Sequence, residues 1–386
     1  MLRGNSYSGI IYIYIFKEDS LKMKKLFSLI LLAAMLLTLA ACGGSGRTAG
    51  SGSGDTESSA DTADTVNFGS SGEDAPRSEP ITLVMAEVNP LDSVIGQVDS
   101  AFKEKVEELS GGTIIVDIRA GGELGAEDAV LDSIMSGSDQ IDIACISAFA
   151  LNPYGVEKTV FCTLPFVFES SEHFWNFANS ELAAQFLGEP QELELPVRGL
   201  FFGEDGFRHF FTREGMDLIK IEDLAGLKLC VSDDPVMNGL VDGLNGAPAV
   251  VPLSDLYYAL RTGACDGAEQ TVSIYLSNAL HEVAPNLILD GHTLGAVQVI
   301  ITDNAWNKLG EGQQSWLMEA AAYARQFNQD YVDQAEAAVL EELKAAGINI
   351  VEVEDKTPWV KAVSEVLDPY TSGDLGEIYD QIMELK

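Results

Sequence analysis

Residues that could do chemistry are present in this chain but do not form a reactive motif. The histidines, His173, His209, His281 and His292, stand apart, without the HExxH, HxH or mixed Cys/His spacing that binds zinc. The acidic side chains mostly fall on predicted solvent faces, where carboxylates are common without a catalytic role. The sequence therefore predicts no metal site.

Two other motifs are better explained by structure than by catalysis. Gly121 and Gly122 precede GELGAED, but no Lys or Ser/Thr follows at the spacing of a phosphate-binding loop, which favours a turn. Cys230 would need a base to act as a nucleophile, and His209 is near it only in sequence. We therefore expect no cofactor and no enzymatic activity.

The net charge of the chain limits the kinds of partner that it can bind. Asp and Glu number 60 against 23 Lys and Arg, and the formal net charge is −37. Nucleic acids and anionic lipid surfaces attract clustered Lys and Arg, so neither is an expected partner. The simplest interpretation is an acidic, solvated surface that keeps the protein soluble.

A lipoprotein signal is predicted near the beginning of the chain. Met23, Lys24 and Lys25 precede an apolar run, and LAAC at 39–42 has the small residues that a signal peptidase requires. The run is short for a membrane span, so a retained transmembrane helix is only the alternative. We expect cleavage before Cys42 and a lipid on its thiol, which would anchor the protein at the outer face of the cytoplasmic membrane, in the periplasm or on the cell surface.

The segments around this signal are not expected to belong to the fold. Residues 1–22 are interpreted as a segment upstream of the true start, and the signal peptide itself covers residues 23–41. Residues 42–79 are rich in Gly, Ser, Thr and Asp and have few large apolar side chains, which predicts a flexible tether.

Hydrophobic patterns in the rest of the chain predict an α/β fold. Strands are predicted at 81–88, 113–120 and 140–147, with helices at 94–109 and 126–135 between them. Crossovers of this length allow parallel strands, as in half of a doubly wound sheet.

A second α/β unit follows, with strands predicted at 197–203, 227–232 and 247–253. Ser254 is the predicted N-cap of the next helix, which Gly263 ends, and CDGAE at 265–269 is the next strand. A helical pattern from Gly312 to about Ala346 is too long to belong to one small unit.

The cysteines outside the leader form no CxxC pair. Cys145, Cys162, Cys230 and Cys265 are interpreted as buried small apolar residues. The sequence leaves a bridge between Cys230 and Cys265 open.

Five segments occur in an order typical of one protein family. They are GGELGAED with DQIDIACIS behind it, LPFVF at 164–168, EDLAGLK at 222–228, SDLYYALRTGACDGAEQ at 254–270 and HEVAPNLILDGH at 281–292. Over residues 81–370 the chain thereby resembles the extracytoplasmic solute-binding proteins of tripartite ATP-independent periplasmic transporters, the TRAP-type, DctP-like family.

The resemblance implies a two-lobed periplasmic-binding-protein-like (Venus flytrap) fold. Each lobe would be a mixed sheet flanked by helices, with long bridging helices near the C-terminus. Lobe I would comprise residues 80–203 and about 296–335, and lobe II would comprise about 204–295 and 336–386.

The resemblance also implies ligand-binding positions between the lobes. The family's carboxylate-binding strand arginine falls on Cys230, its usual asparagine on Gln270, and a second ligand-facing arginine on Arg208. Glu269 lies beside Gln270 in sequence. The remaining expected contacts are Asn89 and Ser147 in the first lobe, and Phe166, Leu253 and Tyr257 in the walls of the cleft.

A cysteine at position 230 changes what the site can bind. Arg offers a carboxylate two parallel charge-assisted hydrogen bonds, each worth about 1.5–3 kcal/mol, and cysteine offers none. Either the carboxylate of the solute has moved to Arg208, or the solute is less anionic than in the rest of the family. A small organic acid is slightly favoured, and an amine-bearing or zwitterionic solute is the alternative.

The predicted function is capture of this small polar solute and its delivery to the membrane subunits of a TRAP-type transporter. The first alternative is a receptor that reports its liganded state to a membrane sensor kinase, which would have the same fold. The second is a secreted enzyme on a similar scaffold, which the sequence does not favour because it contains no evident nucleophile–base pair.

Overall fold

The computed structural model of the protein describes residues 80–386. The predicted upstream segment (1–22), signal peptide (23–41), lipidation site at Cys42 and tether (42–79) lie outside the described residues. Within the described part, no helix is both long enough and apolar enough to cross a membrane.

One mixed β-sheet runs through the described residues. Its order is β2-β1-β3-β8-β4-β7-β5-β6, with β9 also paired to β8. The strands are β1 (Ile81–Ala86), β2 (Ile114–Arg119), β3 (Ile143–Ser147), β4 (Val197–Thr212), β5 (Lys228–Val231), β6 (Ala247–Val250), β7 (Gly267–Thr271), β8 (Asn286–Thr302) and β9 (Asn349–Glu352).

Helices cover this sheet on both faces. The α-helices are α1 (Val94–Leu109), α2 (Glu127–Met135), α3 (Ser171–Ala178), α4 (Glu181–Glu192), α5 (Pro235–Gly243), α6 (Leu253–Thr262), α7 (Val272–Ser277), α8 (Asp303–Lys308), α9 (Glu311–Ala345), α10 (Thr357–Ala362), α11 (Ser364–Leu367) and α12 (Gly373–Met383). Short 3₁₀ helices occur at Asn152–Tyr154, Lys158–Cys162, Ile221–Leu224, Leu280–Glu282 and Asp368–Tyr370.

The first half of the sheet has the predicted doubly wound connections. β1 lies between β2 and β3 and is parallel to both. The N-cap of α1 is Ser93, whose hydroxyl accepts a hydrogen bond from the Gly96 amide, and the apolar face of α1 packs on these strands through Val98 and Phe102. The strand ends therefore meet at one edge of the sheet, next to the beginning of α2.

Two long antiparallel strands join the halves of the sheet. β4 pairs with β8 along most of its length, and the second half of β4 also pairs with β7 on its other side. The pairing of β4 with β8 shifts register between Glu204 and Phe207, and Gly206 there has a φ of 82°, which favours glycine. The predicted strand at 197–203 thus continues nine residues further, to Thr212. Charged and glycine residues at the bulge hide this continuation from a pattern of alternating polarity.

The long helix α9 contacts both halves of the molecule. Its early residues, including Leu317 and Ala321, belong to the core around β1 and β2, whereas Leu343 belongs to the core around β7. Between them, Asn328 is fully buried and bonds β4: its Oδ1 accepts from the Glu204 amide at 2.7 Å and its Nδ2 donates to the Glu204 carbonyl at 2.9 Å. The predicted bridging helix is confirmed.

The second α/β unit is also present, with two local corrections. β5 is parallel to β6 and β7. The predicted Ser254 cap is wrong: α6 begins at Leu253, two residues earlier than predicted, and its N-cap is Pro252, because the chain turns into the helix shortly after β6. Gly263 ends this helix as predicted, with a φ of 77°.

Candidate functional site

A cavity of about 610 Å³ lies where strand ends from both halves of the sheet meet. Six of the predicted ligand contacts line it. They are Asn89, Ser147, Arg208, Leu253, Tyr257 and Gln270. Strand ends with helix N-termini nearby are the usual place for ligands in α/β proteins. The size and the mixed polar and apolar lining suit a small metabolite.

The other three predicted contacts, Cys230, Phe166 and Glu269, lie outside the cavity lining. Phe166 packs on the hydrophobic core that contains Phe161 and Phe210, and its amide donates a hydrogen bond to the His292 carbonyl at 2.8 Å. Glu269 is 1% exposed and contacts Arg208 from behind the cavity wall. Its effect on a solute is therefore indirect.

Cys230 forms a disulfide with Cys265, and the two Cα atoms lie 5.9 Å apart. Cys230 is 1% exposed and sits among Leu256, Leu260 and Ala268. The expectation that its side chain faces the solute is therefore corrected: it points into the core under α6. The interpretation of Cys230 and Cys265 as free small apolar residues is likewise corrected, and only Cys145 and Cys162 are free and buried among the described residues.

Arg208 is held in the cavity wall by a bidentate ion pair. Its Nε and Nη2 donate to the two carboxylate oxygens of Glu269 at 2.5 and 2.7 Å. The ring of His292 lies behind, with Nε2 3.4 Å from Glu269 Oε2 and Nδ1 2.7 Å from Asp290 Oδ2. This buried row alternates in charge, so the charge of Arg208 is balanced within the protein.

The ionisation of this row follows from its contacts. Burial works against the charge on each group. For Glu269 it raises the pKa, but Arg208 and His292 outweigh it and hold the pKa below its ordinary value. For His292 burial lowers the pKa, but Asp290 outweighs it and the pKa is raised. The guanidinium of Arg208, whose Nη1 takes no part in the ion pair, is left to donate to a bound solute.

The cavity wall also contains acidic side chains. Glu87 follows β1, Glu127 begins α2, and Asp205 lies at the bulge of β4; all three line the cavity. Glu127 Oε1 accepts a hydrogen bond from the Ser147 amide at 2.6 Å. Glu87 Oε1 accepts from the Asn89 amide at 2.5 Å, and Asp205 Oδ2 accepts from the Thr271 hydroxyl. Each carboxyl is thus positioned by the protein.

Behind Glu87 lies a second acidic group that sequence reasoning did not identify. Glu87, Asp99 and Cys145 each place one potential ligand atom within 4.8 Å of the others. Burial raises the pKa of Asp99 well above its ordinary value, and the charge of Glu87 adds to this. Asp99 comes from the second turn of α1 and Cys145 from β3, so only the fold brings them together.

Sequence analysis also missed Glu87 and Asp205 as site residues. Carboxylates are frequent in this chain, and burial, which sets these two apart, is not visible in composition. One signal was available: Glu87 directly follows β1, at the same strand end as the predicted contact Asn89.

The fold and the site define the class of the protein. Two lobes share one sheet through long crossing strands, and a cavity opens between them at the strand ends, which is the arrangement of a periplasmic-type solute-binding protein. Residues 85–373 match the family described as bacterial extracellular solute-binding protein, family 7 (DctP), and the chain belongs to this family. The predicted TRAP-type family and receptor function are confirmed.

Relatives and solved structures agree with this assignment. The chain is similar to the C4-dicarboxylate-binding periplasmic protein DctP of Rhodobacter capsulatus, 23% identical over 293 residues, which are 75% of this chain and 86% of the relative. Its fold is similar to a TRAP periplasmic solute binding protein of Pseudomonas putida F1 with bound D-glucuronate (TM-score 0.72, 25% identity, 79% of this chain and 96% of the other). It is also similar to one of Polaromonas sp. JS666 bound to D-erythronate (TM-score 0.74, 25% identity, 79% and 99%).

Proposed function

We propose that the chain captures a small organic acid or a related polar metabolite in the cavity and delivers it to the membrane subunits of a TRAP-type transporter. The observation that carries the proposal is the position of Arg208, whose guanidinium is fixed by Glu269 and lines a 610 Å³ cavity. Similar structures hold D-glucuronate and D-erythronate, which are acids of a size that fits such a cavity.

Binding is proposed to close the two lobes. The lobes are residues 80–203 with about 296–335, and about 204–295 with 336–386, so that the chain crosses between them in β4, β8 and α9. The bulge between Glu204 and Phe207 supplies a bend at one crossing. A solute that contacts both lobes stabilises the closed state, and this preference drives closure.

We propose that the protein binds its solute without catalysing a reaction. The proposed anchor is a lipid on Cys42, and the tether at 42–79 would then allow the lobes to reach the transporter. Replacing Cys42 by Ser would prevent lipid attachment, which labelling of cells with a radioactive fatty acid would detect.

Two adjacent tyrosines provide the test of binding in the cavity. Tyr257 lines the cavity, whereas Tyr258 is 66% exposed and does not line it. Replacing Tyr257 by Ala removes apolar contact with the solute and should weaken binding by about tenfold in calorimetry with a solute that the wild-type chain binds. Tyr258→Ala is the matched control and should bind like wild type. Equal affinities for all three proteins would show that the solute binds elsewhere.

A further inference from the structure

The cavity wall contains hydrogen-bond acceptors that the protein leaves without partners. Glu87 Oε2, Asn89 Oδ1, Asp205 Oδ1 and Gln270 Oε1 make no hydrogen bond to a fixed donor among the described residues, and Glu87 also lies beside the buried carboxyl of Asp99. All four residues line the cavity, and their exposures are 2%, 6%, 3% and 7%. Buried polar atoms in native proteins are nearly always paired. These four acceptors therefore indicate a ligand that supplies donors.

The charge of the cavity has the same implication. Arg208 is the only Lys, Arg or His that lines it among residues 80–386, and Glu269 already balances its charge. Six acidic residues line the same space, namely Glu87, Glu127, Asp128, Asp132, Asp205 and Asp233. The acidic lining would therefore repel a negatively charged solute that has no cationic group.

Glu87 and Asp205 are the two carboxyls best placed to attract a cation. Each has one oxygen bonded to the protein and one unpartnered oxygen. Burial raises the pKa of Asp205 to about 7, and repulsion from Glu87 and Glu336 contributes. Burial also raises the pKa of Glu87. A cationic group between them would relieve both the burial penalty and the repulsion.

We propose that the solute of this protein carries a protonated amine, which Glu87 and Asp205 bind while Arg208 binds an oxygen of the same solute. An ammonium group has three donors and no acceptor, which matches the unpartnered oxygens of the wall. The inference rests on the proposed function, because it names the chemical class of solute for the same cavity.

Matched pairs of compounds test this inference directly. The full chain is incubated with a cell extract supplemented with glucosamine and glucose, 2-amino-2-deoxygluconate and gluconate, and serine and glycerate. Retained compounds are released by denaturation and identified by mass spectrometry. We expect the retained compound to carry a basic nitrogen, and calorimetry to give it about tenfold to a hundredfold higher affinity than its hydroxyl analogue.

Variants locate the amine in the cavity. Glu87→Gln and Asp205→Asn should each weaken binding of the retained amine by at least about tenfold. The matched controls are Glu319→Gln and Asp217→Asn, which change exposed carboxylates outside the cavity and should leave binding unchanged.

The other outcomes overturn one proposal or both. A retained compound without a basic nitrogen would overturn this inference and leave the solute-binding function intact. Stoichiometric divalent metal in the purified protein, lost in Glu87→Gln, would also overturn it, because the carboxyls would then serve the metal. Retention of no compound at all would contradict the proposed function itself.

Discussion

At the scale of single residues, the site depends on charges that the protein positions before any solute arrives. Arg208 is fixed by Glu269, which contacts His292, and the His292 ring is held in turn by Asp290. A side chain held in this way loses little conformational freedom on binding, so more of the interaction energy appears as affinity.

Removing the charge of Glu269 should destabilise the fold. Glu269→Gln keeps the shape of the side chain but leaves the buried guanidinium of Arg208 without its counter-charge. Breaking one partner of a buried ion pair costs about 3–5 kcal/mol, and urea denaturation should show a loss of this size in the free energy of unfolding. Glu214→Gln, at an exposed position, is the control. A loss below about 1 kcal/mol would show that the pair does not stabilise the native state.

Some site residues could be predicted from sequence and others could not, for a physical reason. Gln270 and Ser147 were predicted from the resemblance to the family, and both lie near the ends of strands that meet at the cavity. The orientation of Cys230 depended on a bond to Cys265, which lies 35 residues away. Only its position directly after β1 pointed to Glu87, and nothing in the sequence neighbourhood of Asp205 reports burial.

At the scale of elements, β4 and α9 connect the lobes. At the bulge of β4, the backbone amide and carbonyl of Glu204 form hydrogen bonds with the side chain of Asn328 in α9. The bend in the strand therefore leaves no unpaired backbone group at Glu204. The hydrophobic pattern predicted α9 to within one residue at each end, because its helical periodicity is uninterrupted. The continuation of β4 was missed because a bulge breaks the alternation on which strand prediction depends.

The disulfide is the element-scale feature most open to test. It joins β5 to the segment just before β7 and closes a loop with a sequence separation of 35. Loop entropy alone predicts a stabilisation of roughly 4 kcal/mol. The Cys230→Ser, Cys265→Ser double variant should therefore unfold at lower urea than wild type.

Reductant provides the control for this prediction. It should lower the unfolding midpoint of the wild-type chain and leave that of the double variant unchanged. Equal stability of the two proteins under oxidising conditions would mean that the bond does not contribute to stability.

At the scale of the whole molecule, buried carboxyls make stability depend on pH. Burial raises the pKa of Glu204 to about 8, and repulsion from Asp333, Glu336 and Asp205 contributes, while the Ser171 hydroxyl opposes the shift by donating a hydrogen bond. Burial likewise raises the pKa of Glu336 to about 7. These groups bind protons more tightly in the folded chain than in the unfolded chain.

The sign of the pH dependence follows from this difference. The stabilisation is complete below the ordinary carboxyl pKa of 4.5 and is lost as pH rises to the raised values, so the free energy of unfolding should fall from about pH 4.5 to about pH 8 and level off above it. Urea titrations across this range measure the effect, and Glu204→Gln, which mimics the protonated carboxyl, should flatten it. Stability that rises with pH over the range would contradict the assignment.

The central claim, that a solute is trapped between two closing lobes, is tested most directly by a distance across the mouth of the cavity. Spin labels on cysteines introduced at Ala129 in α2 and Asp255 in α6, both exposed next to cavity-lining residues, report this distance by pulsed electron resonance. With the solute retained from the extract, the distance distribution should shift to shorter values. An unchanged distribution at saturating solute would contradict closure.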